Sequence, residues 1–85
     1  YKKWRLNDLS YQGGYVYANI LFKDIIAKIE PNKAEVVGII NLSSIRAKLP
    51  KSAQVLNGIT HLDAHTMLIT GKLWPYFYTV QLYET

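Results

Sequence analysis

The sequence contains no cysteine, which excludes a disulfide scaffold, a thiolate metal site and a cysteine nucleophile. It also lacks any apolar run near the roughly 18 residues that a membrane-spanning helix needs. A P-loop, a dinucleotide-binding fingerprint and a Ser/His/Asp arrangement are absent as well. The chain must therefore be interpreted from its strand pattern and from its repeats.

The composition is that of a small globular chain rich in strand-forming residues. Hydrophobic residues make up 49% and charged residues 19%, which argues against disorder. Seven tyrosines, two tryptophans and two phenylalanines favour β-strands. The net charge of +4 permits binding to an anionic surface, but the ten lysines and arginines are scattered. Because a nucleic-acid footprint should be contiguous, we expect no nucleic-acid partner.

Alternating apolar and polar residues, separated by turn residues, predict seven short strands. These strands cover residues 6–11, 15–20, 25–29, 36–40, 55–61, 66–70 and 77–82. Gln12-Gly13-Gly14 predicts a tight hairpin turn, because glycine supplies the positive φ that such turns need. Ser43 and Ser44 are expected to cap a short helix over residues 45–49, which Pro50 ends.

The two halves of the chain form an internal repeat. Leu6-Asn7-Asp8-Leu9 corresponds to Leu56-Asn57-Gly58-Ile59, fifty residues later. With one residue inserted in the second turn, the return strands also align, and Leu21 then falls opposite Lys72. A repeat of roughly 40 to 50 residues with four strands each is typical of propeller blades.

The repeat predicts an all-β fold made of antiparallel blades. Residues 6–42 would form one four-stranded blade, residues 43–54 a short helix and connector, and residues 55–84 three strands of another blade. Two blades cannot close a ring, and their open edges would be exposed to unwanted strand pairing. We therefore expect the chain to be part of a larger propeller.

The stretch that ends at Pro75 contains the clearest candidate for chemistry. An apolar run ends at Gly71, Lys72 follows at once, and Trp74-Pro75 stops the strand. The apolar neighbours predict a buried lysine, and a buried ammonium group is readily perturbed and suits catalysis. A solvated lysine after a strand is the alternative.

Two other groups of residues have simple structural explanations. His61, Asp63 and His65 could suggest a metal site, but they lie across a predicted hairpin turn, so we expect no metal. Five aromatic residues could form a stacking platform for single-stranded nucleic acid. At period-two spacing they are more simply the two faces of a sheet. These residues are Tyr1, Trp4, Tyr11, Tyr15 and Tyr17.

Several segments occur in the order seen in the plant and bacterial type of glutaminyl cyclase. They are residues 6–9, Tyr17-Ala18-Asn19-Ile20, Ile29-Glu30-Pro31, Val37-Gly38, residues 55–59 and Thr70-Gly71-Lys72-Leu73-Trp74-Pro75. The chain resembles the C-terminal part of that enzyme. The resemblance implies a five-bladed β-propeller, of which this chain supplies about one and three-quarter blades. It also implies that a strand from the N-terminal region completes the last blade, that no metal or other cofactor takes part, and that the compartment is secretory or periplasmic.

The resemblance also implies an activity and its residues. Enzymes of this family convert the N-terminal glutamine of peptides to pyroglutamate and release ammonia, so the expected partners are such peptides and the remaining blades. Asn7 and Lys72 match the family's functional asparagine and lysine, which would polarise the amide and stabilise the oxyanion. A strand-end asparagine that ties down backbone is the alternative for Asn7, since Asn57 occupies the same place in the repeat. The family's proton-shuttling glutamate has no match, so we expect these 85 residues alone to be inactive.

One departure from the family concerns the substrate pocket. The family usually has a tryptophan after Ala-Asn-Val, where this chain has Leu21 with Phe22 beside it. These two residues and Trp74 are the expected substrate-binding residues, although Trp74 could instead pack between blades. The missing tryptophan also leaves open a non-catalytic propeller that binds peptides through the same pocket.

Overall fold

Two antiparallel sheets form the fold in the computed structural model, which describes residues 4–82. The first sheet has the order β1-β2-β3-β4 and the second sheet the order β5-β6-β7. The strands are β1 (Leu6–Gln12), β2 (Tyr15–Ile20), β3 (Ile25–Glu30), β4 (Glu35–Asn41), β5 (Leu56–Asp63), β6 (Thr66–Gly71) and β7 (Tyr78–Gln81). One short helix, α1 (Ser43–Arg46), lies between the sheets in the sequence. The predicted all-β, antiparallel fold is confirmed, while Tyr1 and residues 83–84 lie outside the described range.

The strands follow from local sequence. Gly13 and Gly14 have φ values of 63° and 89°, so the first hairpin turns through two left-handed residues, as tight hairpins require. β4 alternates regularly between exposed and half-buried residues, the period of a strand with one covered face. Within residues 4–82, no helix is long and apolar enough to cross a membrane.

The helix differs from its prediction. It spans Ser43–Arg46, its N-cap is Leu42, and no side chain caps it. Asn41, at the end of β4, accepts the backbone N–H of Ser43 at 2.9 Å, so the prediction of serine capping is wrong. The helix ends before Pro50 because the following residues make hydrogen bonds between residues three positions apart, as in a 3₁₀ turn. One of them joins the N–H of Leu49 to the carbonyl of Arg46 at 3.1 Å.

Both sheets have the same strand register. In the first sheet Leu9 pairs with Ala18, and in the second Ile59 pairs with Ile69. The third strands continue these rows in the same way. The complete rows are Leu9-Ala18-Ala27 in the first sheet and Ile59-Ile69-Tyr78 in the second. The internal repeat is therefore present in the strand pairing of the structure.

The sheets stack in the same orientation rather than back to back. Tyr17 and Ile26 lie on the face of the first sheet that contacts the core between the sheets. The second sheet contacts that core through Met67 and Ile69, whose counterparts in the first sheet lie on its opposite face. The buried core consists of Tyr17, Ile26, Leu42, Leu56, Ile59, Met67 and Ile69. Each sheet thus presents a different face to its neighbour.

Candidate functional site

Lys72 lies in a tight turn directly after β6. Its backbone N–H donates to the carbonyl of Val55 at 2.9 Å, and its carbonyl accepts the N–H of Gln54 at 2.8 Å. Trp74 N–H donates to the carbonyl of Gly71 at 3.1 Å, and Leu73 has a φ of 59°. We call residues 71–74 the Lys72 turn. Its backbone is held from both sides, so the position of the Lys72 side chain is set by the fold.

Trp74 packs on this turn. A Cβ atom on Gly71 would collide with the Trp74 ring and would lie 2.5 Å from the carbonyl oxygen of Val55, so the close approach requires glycine. The indole Nε1–H donates to the carbonyl of Gln54 at 2.8 Å. The ring also meets Tyr78 edge-on, with centroids 6.1 Å apart. The indole thus joins the turn to the connector before β5.

Arg46 of α1 reaches the same turn. Its guanidinium group forms a salt bridge with Asp24, with Nη2 at 3.0 Å and Nε at 3.1 Å from Oδ1. The carbonyls of Ala53 and Gln54 accept further hydrogen bonds at 3.1 Å and 2.7 Å. The guanidinium carbon lies 5.4 Å from the centroid of the Trp74 ring. No pattern in the sequence singles out this arginine.

The side chain of Lys72 is exposed, so the prediction that it is buried is wrong for the described chain. The last paired residue of β6 is Gly71, opposite Leu56. Lys72 lies beyond this pair, in the turn. The apolar run before it belongs to the strand and does not cover the lysine.

Asn7 lies in a bulge of β1, where the register with β2 shifts between Leu6 and Leu9. Its side chain is exposed and makes no hydrogen bond to any residue of the range 4–82. The backbone of the bulge is held instead by hydrogen bonds of Asp8 and Asn19. Asp8 accepts the N–H of Ile59 at 2.8 Å through Oδ2, which joins β1 to β5. The structural role considered for Asn7, tying down backbone, thus belongs to Asp8 at this point of the strand.

The residue that secures this bulge is Asn19, which is fully buried in β2. Its Oδ1 accepts the N–H of Asp8 at 2.6 Å, and its Nδ2 donates to the carbonyl of Leu56 at 2.7 Å. Leu56 pairs with Gly71, the residue before Lys72. One buried amide thus connects the bulge that carries Asn7 with the strand end that precedes Lys72.

Comparisons with known proteins assign the chain to a family. A family model described as glutamine cyclotransferase matches residues 2–82. The chain belongs to the glutamine cyclotransferase family. It is 40% identical over 82 residues to a glutaminyl-peptide cyclotransferase of Arabidopsis thaliana, covering 91% of this chain and 26% of that protein. It also resembles the crystal structure of a glutaminyl cyclase from Myxococcus xanthus, with 32% identity and a TM-score of 0.74.

The glutamine cyclotransferase chain described here is much shorter than these relatives. It spans 26% of the Arabidopsis protein. The structural match covers 89% of this chain and 35% of the Myxococcus chain. The chain thus corresponds to about a quarter to a third of the length of these two relatives.

Leu21 and Phe22 of this cyclotransferase chain form a turn equivalent to the Lys72 turn. Leu21 N–H donates to the carbonyl of Arg5 at 2.8 Å, as Lys72 N–H does to Val55. Phe22 has a φ of 67°, close to that of its counterpart Leu73. Leu21 is half-buried, whereas 75% of Phe22 is exposed. The two turns therefore occupy equivalent ends of neighbouring sheets.

The side chains of His61 and Asp63, two of the three residues considered for a metal, make other contacts. His61 Nδ1 lies 2.7 Å from the hydroxyl of Ser10, and its ring meets Tyr17 edge-on at 4.5 Å. Burial lowers the pKa of His61, an effect that Asp63 opposes, and its buried Nε2 has no hydrogen-bond partner in the part described. Asp63 accepts the N–H of His65 at 2.8 Å within the hairpin turn. Residues 4–82 contain no group of three or more His, Cys, Asp or Glu side chains that could hold a metal ion.

Proposed function

We propose that this chain is part of a glutaminyl-peptide cyclotransferase, which converts the N-terminal glutamine of peptides to pyroglutamate and releases ammonia. The observation that carries the proposal is the family match over residues 2–82. The proposed reaction is an intramolecular acyl transfer. The α-amine nitrogen bonds to the side-chain amide carbon, the bond from that carbon to its nitrogen breaks, and ammonia leaves with a proton from the amine.

We propose that Lys72 and Asn7 act on the amide oxygen during this reaction. The oxygen gains negative charge as the amine attacks, and donors aimed at it lower the barrier. Lys72 supplies a positive charge on a turn whose backbone is held at both ends. Asn7 has an amide that makes no hydrogen bond to residues 4–82, so its N–H groups are available to donate to the same oxygen. Proton transfer needs an acid–base group, for which the family resemblance suggests a glutamate of an earlier blade.

We propose Leu21, Phe22 and Trp74 as apolar contacts of the bound peptide. Leu21 and Phe22 lie in the turn equivalent to the Lys72 turn, one sheet away. Trp74 is half-buried, and its indole N–H and its contact with Arg46 already have structural roles. Its share in substrate binding is therefore limited to the part of the ring that stays accessible.

We also propose that the two sheets are consecutive blades of a five-bladed propeller. A contact that joins two different faces of equivalent units can continue around a ring, unlike a back-to-back contact. The outer face of the first sheet, which corresponds to the face that the second sheet buries, is apolar and leaves Leu9 55% and Ile39 49% exposed. We expect another blade to cover this face. A structure of the full-length protein with Leu9 and Ile39 in solvent would contradict the ring.

The enzyme is distinguished from a peptide-binding propeller by one assay on the full-length protein. A peptide that begins with glutamine is incubated with the protein, and ammonia and peptide mass are measured. An enzyme releases one ammonia for each peptide that loses the corresponding mass. Binding without ammonia release would favour the non-catalytic alternative, which the departure at Leu21 supports.

The role of Lys72 is tested by Lys72→Ala in the full-length protein. We expect the rate of ammonia release to fall by at least about 100-fold, the effect of removing an oxyanion donor. Because Lys72 is exposed, the urea midpoint should stay unchanged. Lys51→Ala, in the exposed connector, is the matched control and should keep the wild-type rate. Retained activity in Lys72→Ala would remove Lys72 from the mechanism.

A further inference from the structure

We propose that Arg46 is a positioning residue for Lys72, holding the Lys72 turn through Gln54 and Trp74. The catalytic consequence rests on the function proposed above. The structural part, that Arg46 restrains the turn, stands on contacts alone. The hydrogen bonds of Arg46 within residues 4–82 go to Asp24, Ala53 and Gln54 and not to Lys72, so its effect on the reaction would pass through Gln54 and Trp74.

Gln54 is the link between Arg46 and the turn. Its carbonyl accepts hydrogen bonds from Arg46 Nη2 at 2.7 Å and from Trp74 Nε1 at 2.8 Å. Its N–H donates to the carbonyl of Lys72 at 2.8 Å. Both backbone polar groups of Gln54 are thus used. The carbonyl binds the guanidinium and the indole, and the N–H binds the carbonyl of Lys72. Movement of Gln54 would change the backbone position of Lys72.

Trp74 provides a second route from Arg46 to the turn. The guanidinium carbon lies 5.4 Å from the ring centroid, a distance at which the cation is attracted to the ring. The ring in turn lies against Gly71, where a Cβ atom would collide with it. Arg46 thus helps to keep the indole against the residue that precedes Lys72.

Asp24 fixes Arg46 in this position. Its carboxylate receives Nε at 3.1 Å and Nη2 at 3.0 Å, and its backbone carbonyl accepts the N–H of Leu42 at 2.8 Å. Asp24 directly precedes β3 of the first sheet. The ion pair therefore ties the Lys72 turn of the second sheet to the first sheet, which carries Asn7.

The contacts also favour positioning over direct binding of a substrate carboxylate by Arg46. Its Nε–H, one Nη1–H and both Nη2–H groups point to Asp24, Ala53 and Gln54. A guanidinium group has five N–H donors, so one remains. Bidentate capture of a carboxylate needs two donors. The charge of Arg46 is already balanced by Asp24.

The test uses Arg46→Met and Arg46→Lys in the full-length protein. Methionine keeps an apolar stem over Trp74 but removes the charge and the fork, whereas lysine keeps the stem and the charge but cannot reproduce the fork. The pair is about one-third exposed (31% and 32%), so its loss should leave the protein folded. Lys48→Met, an exposed position just after α1, is the matched control. Backbone amide exchange over residues 71–74 and steady-state kcat and KM are measured for each.

We expect both Arg46 variants to exchange the amides of residues 71–74 about ten-fold faster or more. We expect kcat to fall about 10-fold to 100-fold with KM within about two-fold, since a misplaced group weakens the reaction more than binding. Lys48→Met should behave as wild type. Unchanged exchange in Arg46→Met overturns the restraint of the turn. Faster exchange with wild-type kcat overturns the positioning role. If the wild-type protein releases no ammonia, the proposed function fails, and exchange still decides whether Arg46 holds the turn.

Discussion

Replacing Asn19 by alanine removes a buried side chain that bonds to both sheets beside the candidate site. The substitution leaves the N–H of Asp8 and the carbonyl of Leu56 without their partners, at 2.6 Å and 2.7 Å in the structure. A buried polar group without a partner costs about 1–3 kcal/mol. The contact to Leu56 is fully buried, whereas the contact to Asp8 is partly buried and water can replace it in part. We expect the free energy of unfolding to fall by about 2–4 kcal/mol.

A second substitution, Asn19→Asp, separates the two hydrogen bonds. The carboxylate still accepts from the N–H of Asp8, but it faces the carbonyl of Leu56 and cannot donate to it. Burial should raise the pKa of the introduced carboxyl in the folded state above its value in the unfolded chain. Its stability deficit should therefore be largest at neutral pH and shrink as the pH falls through that raised pKa, because protonation restores a donor.

Equilibrium urea unfolding of the full-length protein, followed by circular dichroism, measures these changes. Asn57→Ala is the matched control, because Asn57 is an exposed asparagine of β5, and its effect should stay within about 0.5 kcal/mol. The reasoning is refuted if Asn19→Ala unfolds within about 0.5 kcal/mol of the wild type. It is also refuted if the deficit of Asn19→Asp does not depend on pH.

Two further predictions concern the packing of the sheets. Gly71→Ala should cost about 1–3 kcal/mol of stability in urea unfolding, because its Cβ collides with Trp74, whereas Gly38→Ala meets only an ordinary contact at 3.6 Å and should be tolerated. Equal stability of both variants would contradict this. The lowered pKa of His61 means that the unfolded chain binds more protons between that pKa and the ordinary value of 6.5. The stability that this difference in proton binding contributes is complete above pH 6.5. It is lost as the pH falls from 6.5 through the lowered pKa of His61. The fall in urea midpoint below pH 6.5 should be absent in His61→Gln. If His61→Gln showed the same fall as the wild type, His61 would not be its cause.

The strands are predictable from sequence because their signals are local. Alternation and glycine turns predict β2 at its observed bounds. The fifty-residue repeat, with one residue inserted in the second turn, aligns Lys72 with Leu21. The helix is not predictable in the same way, because its first N–H bonds to Asn41, a strand residue that no capping rule for serine identifies. The predicted burial of Lys72 is wrong because apolar neighbours in a strand say little about a turn that follows it.

The residues that secure the site depend on contacts distant in sequence. Asn19 bonds to a residue 11 positions earlier and to one 37 positions later. Asn19 stands out in the sequence only as a polar residue between the apolar residues Ala18 and Ile20. This local pattern does not indicate which residues it bonds to. Arg46 shows no comparable pattern, since its partner Asp24 is 22 residues away and its other acceptors are backbone carbonyls.

We propose that the Lys72 turn and the Asn7 bulge together face the amide oxygen of an N-terminal glutamine. A crystal structure of the full-length protein with a pyroglutamyl peptide tests it most directly, because the lactam carbonyl oxygen of the product is the oxygen that carries the developing charge. We predict that Lys72 Nζ and Asn7 Nδ2 both lie about 3 Å from this oxygen. A peptide bound with that oxygen beyond hydrogen-bond reach of Lys72 would contradict the account.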